Sequence, residues 1–361
     1  MKVLHCINRP QIGGMERLVI DLASEQKSLG LDVFIMLDVI DGHYLEDILN
    51  QNIPILESGV RGGFDANANT FYKLKKVFNG FEIIHLHSFS LLITIAALSS
   101  WAKTVYTIHG LSKGVRRENL IKYFFRESLK KMCLNKLNYF IANSESTLSK
   151  AEIHYGLKNV NRKVILNGVK IGPLLPSADF KIPKEIFTIG LVSRFTPRKR
   201  IDRLLSAFAI FKKKGFEGRL IMVGDGINFN NIKQQVETMK LESHVDMVGY
   251  KRNVDDYYKK FHVCVQPSDN EGFGLVAVEA YLHGLPMIAF KDSGGLVEVV
   301  KPIEPDNLVE DEEHLAERLG FYFSNQHLIA DAADQRMTYA KNHFSIHRMG
   351  KDYLKVYNEL T

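Results

Sequence analysis

The feature that most constrains the fold is a strand–loop–helix–strand pattern between Val263 and Phe290. An apolar run at residues 263–266 enters a polar loop, and a segment with helical apolar spacing follows before a second apolar run ends at Phe290. Two short apolar runs joined through a helix are typical of neighbouring parallel strands, because parallel strands need a long crossover connection. The pattern therefore predicts an α/β domain built on a parallel sheet.

Glycines lie where loops of this kind pass into helices. Gly272 and Gly274 precede the helix of the central unit, and Gly13 and Gly14 follow the first strand of the chain. The first N–H groups of a helix have no intrahelical partner, and small residues let a ligand approach them closely. The junction at Gly274 and Leu275 is therefore expected to bind an anion of phosphate size. For Gly13 and Gly14 a plain tight turn is the alternative.

Two glutamates flank the glycines of the central unit. Glu271 lies in the loop, and Glu279 falls in the second helical turn if the helix begins near Gly274. Helical side chains lean toward the N-terminus, so Glu279 can reach a ligand held there. Carboxylates accept hydrogen bonds from paired hydroxyls such as those of a ribose or hexose. A solvated loop residue and a helix-surface residue are the alternative, and the spacing alone leaves both interpretations open.

The alternation of apolar runs and helical segments extends over most of the 361 residues. Further strands are expected at residues 2–7, 33–37, 82–87, 103–107, 139–142, 163–166, 187–192, 220–223 and 246–248. This alternation predicts α/β sheets with helices on both faces, and the length predicts two domains of ordinary size. Residues 171–186 contain three prolines and no clear periodicity, so they are interpreted as a linker between domains at 1–170 and 187–343.

Composition favours a globular protein, since hydrophobic residues make up 45% of the chain. Residues 1–10 are too short an apolar run for a signal peptide. The longest apolar stretch, residues 89–101, is shorter than the ~20 residues that a membrane-spanning helix needs and is interpreted as a buried helix. Cys6, Cys133 and Cys264 are far apart, which favours a reducing compartment. We therefore expect a cytoplasmic protein.

Polar side chains follow several strands predicted in the first half, at the end of a parallel sheet where ligands bind. His109 and Ser144 both occupy such positions. His85 and His87 share one strand face and could ligate a metal. Because no third ligand lies near them in the sequence, a structural role is favoured for this pair.

A basic stretch from Lys113 to Lys136 carries a local charge equal to the whole-chain net charge of +6. The stretch contains two acidic residues, Glu118 and Glu127. Its eight basic residues are Lys113, Arg116, Arg117, Lys122, Arg126, Lys130, Lys131 and Lys136. Aromatic residues are interleaved, a combination that an anionic membrane surface attracts. The alternative is a core-packed helix with a solvated basic face. A nucleic-acid partner is not expected, because no nucleic-acid-binding motif accompanies the charge.

Together with the glutamate pair, a series of motifs covers nearly the whole chain in order: GGMERLVIDLA, HLHS, TIHG, ANSES, ILNGV, GLVSRFTPRKRID, IMVGDG and FSIHRMGKDYLKVYNEL. They resemble the retaining glycosyltransferases of the bacterial group 1 family, which is glycosyltransferase family 4-like and has the GT-B fold. The resemblance implies two Rossmann-like, doubly wound α/β domains facing each other across a cleft. It also implies an acceptor-binding domain at 1–170, a nucleotide-sugar-binding domain at 187–343, and a helix at 344–361 that packs back on the first domain.

The resemblance implies how the diphosphate of the donor is held. Arg194 and Lys199 match the family's basic pair, in which a guanidinium forks onto phosphate oxygens and an ammonium adds a point charge. Ser193 and Arg200 stand where the family usually has glycines, a modest departure that leaves the pair intact. Backbone contacts to the diphosphate are assigned to Gly14, Gly274 and Leu275.

Other positions take the sugar, the nucleoside and the acceptor by the same resemblance. Glu271 and His109 would be catalytic, with Glu271 positioning the donor sugar and His109 lying over its ring. Glu279 would bind the ribose, and backbone near Tyr250 would contact the base. The remaining assignments are Gly272 and Phe273 to the sugar, and Gly13, Gly14 and Ser144 to the acceptor side of the cleft.

The expected reaction is a retaining, metal-independent transfer of a hexose-type sugar. No Asp-x-Asp pair occurs in the sequence to hold a metal against the diphosphate, so fixed cations and the helix end would replace it. The donor is a nucleoside-diphosphate sugar, with UDP favoured over GDP, and no cofactor is expected. The acceptor is a glycan or lipid-linked molecule of the lipopolysaccharide, O-antigen or capsule type, which would place the protein peripherally at the inner face of the membrane.

Two alternatives stay open at this point. One is a nucleotide-sugar epimerase of the same fold, and the other is a non-catalytic protein that binds a nucleotide sugar. The presence of all the expected site residues argues against a decayed site. A nicotinamide dehydrogenase is excluded because the sequence has no G-x-G-x-x-G fingerprint.

Overall fold

The structure, a computed structural model, describes residues 1–10, 13–60, 67–111, 120–158, 160–172, 182 and 186–361, with the backbone alone for 120–122. They form two compact units, one of Met1–Lys170 with Ile346–Thr361 and the other of Ile171–Ser345. Most of the predicted linker, residues 173–181 and 183–185, lies outside the described residues.

The first unit contains a seven-stranded parallel sheet with the order β3-β2-β1-β4-β5-β6-β7. Its strands are β1 (Lys2–Ile7), β2 (Asp32–Leu37), β3 (Ile55–Glu57), β4 (Ile83–Leu86), β5 (Lys103–Ile108), β6 (Tyr139–Ala142) and β7 (Asn161–Val164). The helices between them are α1 (Gly14–Ser28), α2 (Leu45–Asn50), α3 (Ala68–Phe78), α4 (Leu91–Leu98), α5 (Leu120–Leu134) and α6 (Glu145–Tyr155). The central strands are continuous apolar runs because both faces of the sheet are covered.

Alternate residues of β1 pack into different hydrophobic clusters, which places a core on each face of the sheet. Leu4 packs in one cluster with α3 and α4, whereas Val3 packs in the other with α1 and the final helix, α15 (Ile346–Leu360). Tyr353 and Tyr357 of α15 are almost fully buried there. Since burying one large side chain contributes roughly 1.5–3 kcal/mol, the last helix is an integral part of this unit.

The structure differs from the predicted strands at the edges of this sheet. β7 covers Asn161–Val164, whereas the sequence indicated residues 163–166. β3 was not predicted, because its three half-exposed residues form no apolar run. The apolar stretch at residues 89–101 forms the buried helix α4, as expected. Within the described ranges, no helix is both long and apolar enough to cross a bilayer.

The second unit contains a six-stranded parallel sheet with the order β10-β9-β8-β11-β12-β13. Its strands are β8 (Thr188–Val192), β9 (Arg219–Val223), β10 (Val245–Gly249), β11 (Val263–Gln266), β12 (Met287–Phe290) and β13 (Leu308–Val309). Its helices are α7 (Ile201–Lys213), α8 (Phe229–Thr238), α9 (Asp255–Tyr258), α10 (Leu275–Leu282), α11 (Gly295–Val300), α12 (Glu312–Ser324), α13 (His327–Asp331) and α14 (Ala333–Phe344). The predicted strand–loop–helix–strand unit is confirmed as β11, α10 and β12.

The centre of the second sheet is tightly packed. A Cβ atom on Gly190 of β8 would lie 2.1 Å from the ring of Phe261, so this position accepts only glycine. From β8 the chain builds β9 and β10 on one side, and β11 to β13 occupy the other side. The strand order therefore reverses between β8 and β11, and the two-residue strand β13, which was not predicted, closes the far edge.

Candidate functional site

Two loops of the second unit leave paired parallel strands at the point where the strand order reverses. β8 and β11 are neighbours, so the loops that follow them emerge side by side at the carboxyl edge of the sheet. In open α/β sheets this position forms a crevice in which ligands bind. Arg194 and Lys199 lie in the first loop, and Glu271 lies in the second.

The loop after β11 is held by the segment that precedes α11. The Glu271 N–H donates to the Ser293 carbonyl at 3.0 Å, and the Gly295 N–H donates to the Glu271 carbonyl at 2.8 Å. The Ser293 hydroxyl donates to the Ser268 carbonyl at 2.7 Å. Gly294 has φ +63°, and a Cβ atom there would lie 2.7 Å from the Glu271 carbonyl oxygen. The backbone of Glu271 is therefore fixed, which orients its side chain.

Glu271 forms an ion pair with Lys199, joining Oε1 to Nζ. The two side chains are only 10% and 15% exposed. Gln266 Nε2 also donates to Oε1, at 3.4 Å. Burial by itself would raise the pKa of Glu271, but the charge and hydrogen bond of Lys199, with help from its other neighbours, hold that pKa below its usual value. Glu271 is therefore ionised at neutral pH, in direct contact with the cation predicted to bind diphosphate.

The basic loop after β8 contains both exposed and paired cations. Arg194 is exposed, whereas the guanidinium of Arg200 forks onto the Asp202 carboxylate at 3.1–3.2 Å. Arg200 has φ +47°, a left-handed conformation that glycine adopts without strain. This conformation explains why a family glycine is expected at position 200. Asp202 engages Arg200, and the resemblance assigns the diphosphate to Arg194 and Lys199 instead.

Helix α10 begins at the glycine that the sequence indicated. Gly274 precedes it with φ +98°, and a Cβ atom there would lie 2.6 Å from Leu296 Cδ1. The free N–H groups of the first turn of α10 are therefore presented next to the loop that carries Glu271. Phe273 is 3% exposed and its ring packs edge-on against Phe344 at 5.5 Å. The predicted sugar contact of Phe273 can thus come only from its backbone.

Glu279 lies in the second turn of α10, as predicted. The Tyr258 hydroxyl donates to Glu279 Oε2 at 2.8 Å, and the Tyr258 ring stacks on His283 at 4.7 Å. Burial raises the pKa of Glu279; the hydrogen bond from Tyr258 offsets part of that rise, and Asp255 adds to it. Tyr258 was not predicted, because nothing near it in the sequence indicates the contact. Tyr250 follows β10 at the same edge of the sheet and is 46% exposed.

In the first unit, His109 follows β5 and belongs to a chain of buried polar groups. Its Nε2 lies 3.1 Å from His87 Nδ1, His87 Nε2 lies 2.9 Å from His5 Nδ1, and His5 Nε2 lies 2.8 Å from Gln26 Oε1. Burial lowers the pKa of both His5 and His109 to about 4. These rings are therefore neutral at neutral pH.

His5, His85 and His87 bring three ring nitrogens within 4.8 Å of one another, so the third histidine that the sequence did not place comes from β1. Hydrogen bonds already engage these rings: His85 contacts the Tyr357 hydroxyl at 2.6 Å and the Thr107 hydroxyl at 2.7 Å. The 2.9 Å between His5 and His87 suits a hydrogen bond, whereas two ligands of a tetrahedral zinc would lie about 3.4 Å apart. The geometry supports the structural role that the sequence favoured.

Three other predicted residues of the first unit lie at helix starts. Ser144 is fully buried and caps α6, because its Oγ accepts from the Thr147 N–H at 3.0 Å. The hydroxyl is engaged in this cap, so an acceptor contact through it has no support in the geometry. Gly13 and Gly14 lie at the start of α1, which is the strand-to-helix junction that was expected.

The basic stretch is only partly described. Lys113, Arg116, Arg117 and Glu118 lie outside the described residues, as does the side chain of Lys122. On α5, Phe124 and Phe125 are each 65% exposed and Tyr123 is 40% exposed. Lys130 of the same helix is partly buried, and its Nζ lies 4.9 Å from the centroid of the Tyr155 ring. Exposed aromatic rings and basic side chains therefore coexist on this helix.

Comparisons with known proteins cover both units. Residues 177–343 match the family described as Glycosyl transferases group 1, and residues 12–172 match Glycosyltransferase Family 4. The chain is 28% identical to an uncharacterized glycosyltransferase of Methanocaldococcus jannaschii over all of this chain and 99% of that one. It is 27% identical to the capsular polysaccharide biosynthesis glycosyltransferase CapM of Staphylococcus aureus, over 74% of this chain and 73% of that one.

A solved structure shows the same fold. HepE of Anabaena, determined in complex with UDP, superposes with a TM-score of 0.80 at 22% identity, over 99% of this chain and all of that one. Two parallel α/β units in this order are the GT-B fold, as the sequence indicated. The two family matches between them span nearly the whole chain. The chain therefore belongs to the group 1 glycosyltransferases.

Proposed function

We propose that the chain transfers a hexose-type sugar, with retention of configuration and without a metal, from a nucleoside-diphosphate sugar to a glycan or lipid-linked acceptor. The observation that carries this proposal is the ion pair of Lys199 and Glu271 beside the N-terminus of α10. It puts a cation, a carboxylate and free backbone N–H groups at one edge of the sheet. Those groups match the phosphate and sugar ends of such a donor.

The diphosphate is assigned to Arg194, Lys199 and the first turn of α10 at Gly274 and Leu275. Negative charge develops on the leaving diphosphate during transfer, and cations held in place lower the barrier because they need no rearrangement at that moment. In the ligand-free protein Lys199 pairs with Glu271. A bound diphosphate would share this ammonium, which frees one Glu271 oxygen for a sugar hydroxyl.

The nucleoside is assigned to Glu279. Its Oε2 accepts from the Tyr258 hydroxyl, so Oε1 is assigned to the ribose hydroxyls. Tyr258 fixes the rotamer of the carboxylate and reduces the entropy lost when the ribose binds. Backbone after β10, near Tyr250, is assigned to the base, and UDP is favoured over GDP as the donor nucleotide. The bound UDP in HepE of Anabaena supports this preference.

The acceptor is assigned to the first unit and the membrane surface. The exposed rings of Phe124 and Phe125, with Lys131 and Lys136 on or just beyond the same helix, suit the interface of an anionic bilayer. A lipid-linked acceptor would be presented there, so the protein would act peripherally at the inner face. The similarity to the capsular glycosyltransferase CapM supports an acceptor used in polysaccharide synthesis.

Donor binding is tested first, by thermal shift against UDP-, GDP-, ADP- and dTDP-sugars. A ligand at 100 times its dissociation constant stabilises the folded protein by about 2.7 kcal/mol, which shifts the midpoint measurably. We expect the UDP-sugars to give the largest shift. Absence of a shift with every donor would contradict the proposal.

Transfer is tested next, with the anomeric configuration of the product read by NMR. We expect retention, by attack on the same face with the leaving phosphate as base, and an inverted product would refute it. Glu271→Ala should lower turnover by roughly two to three orders of magnitude with the fold intact, whereas Glu237→Ala on the exposed face of α8 should not. Conversion of the donor sugar in the absence of acceptor would indicate an epimerase instead.

A further inference from the structure

A chain of hydrogen bonds runs through the first unit and ends on an unpaired atom. It links Gln26, His5, His87 and His109 in that order, at 2.8, 2.9 and 3.1 Å. Gln26 and His5 are fully buried and His87 is 3% exposed. His109 Nδ1 is buried and has no partner among the described residues. Buried polar atoms without a partner are rare in native proteins, so this one calls for a functional reason.

The proton positions along the chain follow from its buried end. Burial keeps all the imidazoles neutral, so each ring carries one N–H and one lone pair. Gln26 Oε1 can only accept, so His5 carries its proton on Nε2. His5 Nδ1 then accepts from His87 Nε2, and His87 Nδ1 accepts from His109 Nε2. This order leaves a lone pair on His109 Nδ1.

A second branch is consistent with the same orientation of the Gln26 amide. Gln26 Nε2 donates to the Tyr357 hydroxyl at 3.3 Å, and that hydroxyl donates to His85 Nδ1 at 2.6 Å. His85 Nε2 donates to the Thr107 hydroxyl at 2.7 Å, which lies 3.1 Å from the Tyr353 hydroxyl. On this branch Gln26 Nε2, the Tyr357 hydroxyl and His85 Nε2 each donate to one acceptor. Gln26 is therefore the common anchor of both branches.

We infer that Gln26, His5 and His87 are positioning residues that hold His109 in its Nε2–H tautomer, so that Nδ1 accepts a hydrogen bond from a substrate hydroxyl. The carbonyl of His109 accepts from Asn143 Nδ2 at 3.2 Å, which fixes the backbone beneath the ring. Only the identity of the hydroxyl, as one on the donor sugar, rests on the proposed function. The tautomer is a property of the ligand-free protein.

The tautomer is measured in the full chain labelled with ¹⁵N-histidine, because protonated and unprotonated ring nitrogens have well-separated NMR shifts. His109→Gln identifies the signals of this ring. We expect Nε2 of His109 to be protonated and Nδ1 to carry the lone pair. A protonated Nδ1 in the wild-type protein would overturn the inference, whatever the variants do.

Positioning is measured with two variants and one matched control. Gln26→Leu removes the acceptor that starts the chain, and His5→Phe keeps a ring there but removes the acceptor of His87. Either should let part of the His109 population carry its proton on Nδ1 instead. Tyr353→Phe removes the last hydroxyl of the second branch and should leave the His109 signals unchanged. Unchanged signals in every folded positioning variant would overturn the role of Gln26 and His5.

Activity separates this inference from the proposed function. In the positioning variants turnover should fall by the same factor as the population of the accepting tautomer measured by NMR. A protein with the expected tautomer that transfers sugar from no donor would refute the proposed function and leave the tautomer standing. An active wild-type enzyme whose His109 carries its proton on Nδ1 would refute the inferred tautomer and leave the proposed function standing.

Discussion

Lys199→Met should both destabilise the second unit and slow transfer, because it removes the only ion-pair partner recorded for Glu271 among the described residues. The Glu271 side chain is 10% exposed and its backbone is held by Ser293 and Gly295, so it cannot easily turn to water. Breaking a buried ion pair from one side costs about 3–5 kcal/mol, and the 15% exposure of Lys199 places this pair near the lower end. We therefore expect a loss of about 3 kcal/mol in the free energy of unfolding.

The assay is a double-mutant cycle in urea with Lys199→Met, Glu271→Gln and the double variant. The double variant buries no unpaired charge, so it should be more stable than the sum of the two single losses indicates, by at least ~1 kcal/mol. The matched control is Lys212→Met, whose partner Glu217 is exposed and whose loss should cost less than about 1 kcal/mol. Additive single losses, or a Lys199→Met loss no larger than the control, would refute the reasoning.

The same variant has a pH signature. The folded-state pKa of Glu271 lies below its ordinary value, so the pair contributes stability above the pKa of an unfolded glutamate. That contribution is lost as the pH falls through the lower folded-state pKa. The difference in stability between wild type and Lys199→Met should therefore shrink as the pH falls toward that pKa, and it should level off once Glu271 is protonated in both folded proteins. A difference that stays constant from pH 7 to pH 3 would show that the ion pair is not its source.

Further expectations concern the helix end, the ribose contact and the membrane face. Gly274→Ala places a Cβ atom on a residue with left-handed backbone conformation and against the Leu296 side chain. The free energy of unfolding, measured by urea denaturation, should therefore fall by at least ~1 kcal/mol. Donor affinity, measured by calorimetry, should fall with it. Tyr258→Phe should weaken UDP binding about threefold to tenfold, because it removes the hydrogen bond that holds the Glu279 carboxylate. In the wild type the pKa of Glu279 is raised, so UDP binding should be lost on acidification at a higher pH than an ordinary glutamate would give. The double variant Phe124→Ser, Phe125→Ser should float less with anionic vesicles than the wild type, whereas its flotation with neutral vesicles should equal that of the wild type. Equal flotation of variant and wild type with anionic vesicles would contradict the proposed membrane contact of α5.

The sequence predicted the elements whose signal is local. Buried parallel strands read as apolar runs, so β1, β6 and β11 were found with their observed bounds. β3 and β13 could not be found, because strands of three and two residues at sheet edges have no such run. Gly274 was informative for a different reason: it adopts a backbone conformation that other residues rarely reach.

Contacts between distant segments could not be predicted from the sequence. Glu271 and Lys199 were assigned to sugar and diphosphate separately, and their ion pair depends on β8 and β11 being neighbours in the sheet. His5 meets His85 only because β1 pairs with β4 in register. Ser144 follows a strand end, which suggested ligand contact, but the same position starts α6, and a helix start also favours serine as a cap. The resemblance indicated the family, whereas the side-chain contacts within the site became known only from the structure.

Binding of UDP to metal-free protein tests the central claim most directly. Isothermal titration in EDTA is compared with titration in Mg²⁺, for wild type and for Arg194→Met. If fixed cations hold the diphosphate, wild type should bind UDP with the same affinity in both buffers, and Arg194→Met should bind about tenfold or more weakly, as expected for a lost charged hydrogen bond of about 1.5–3 kcal/mol. Binding that requires Mg²⁺, or that is unchanged in Arg194→Met, would contradict the account.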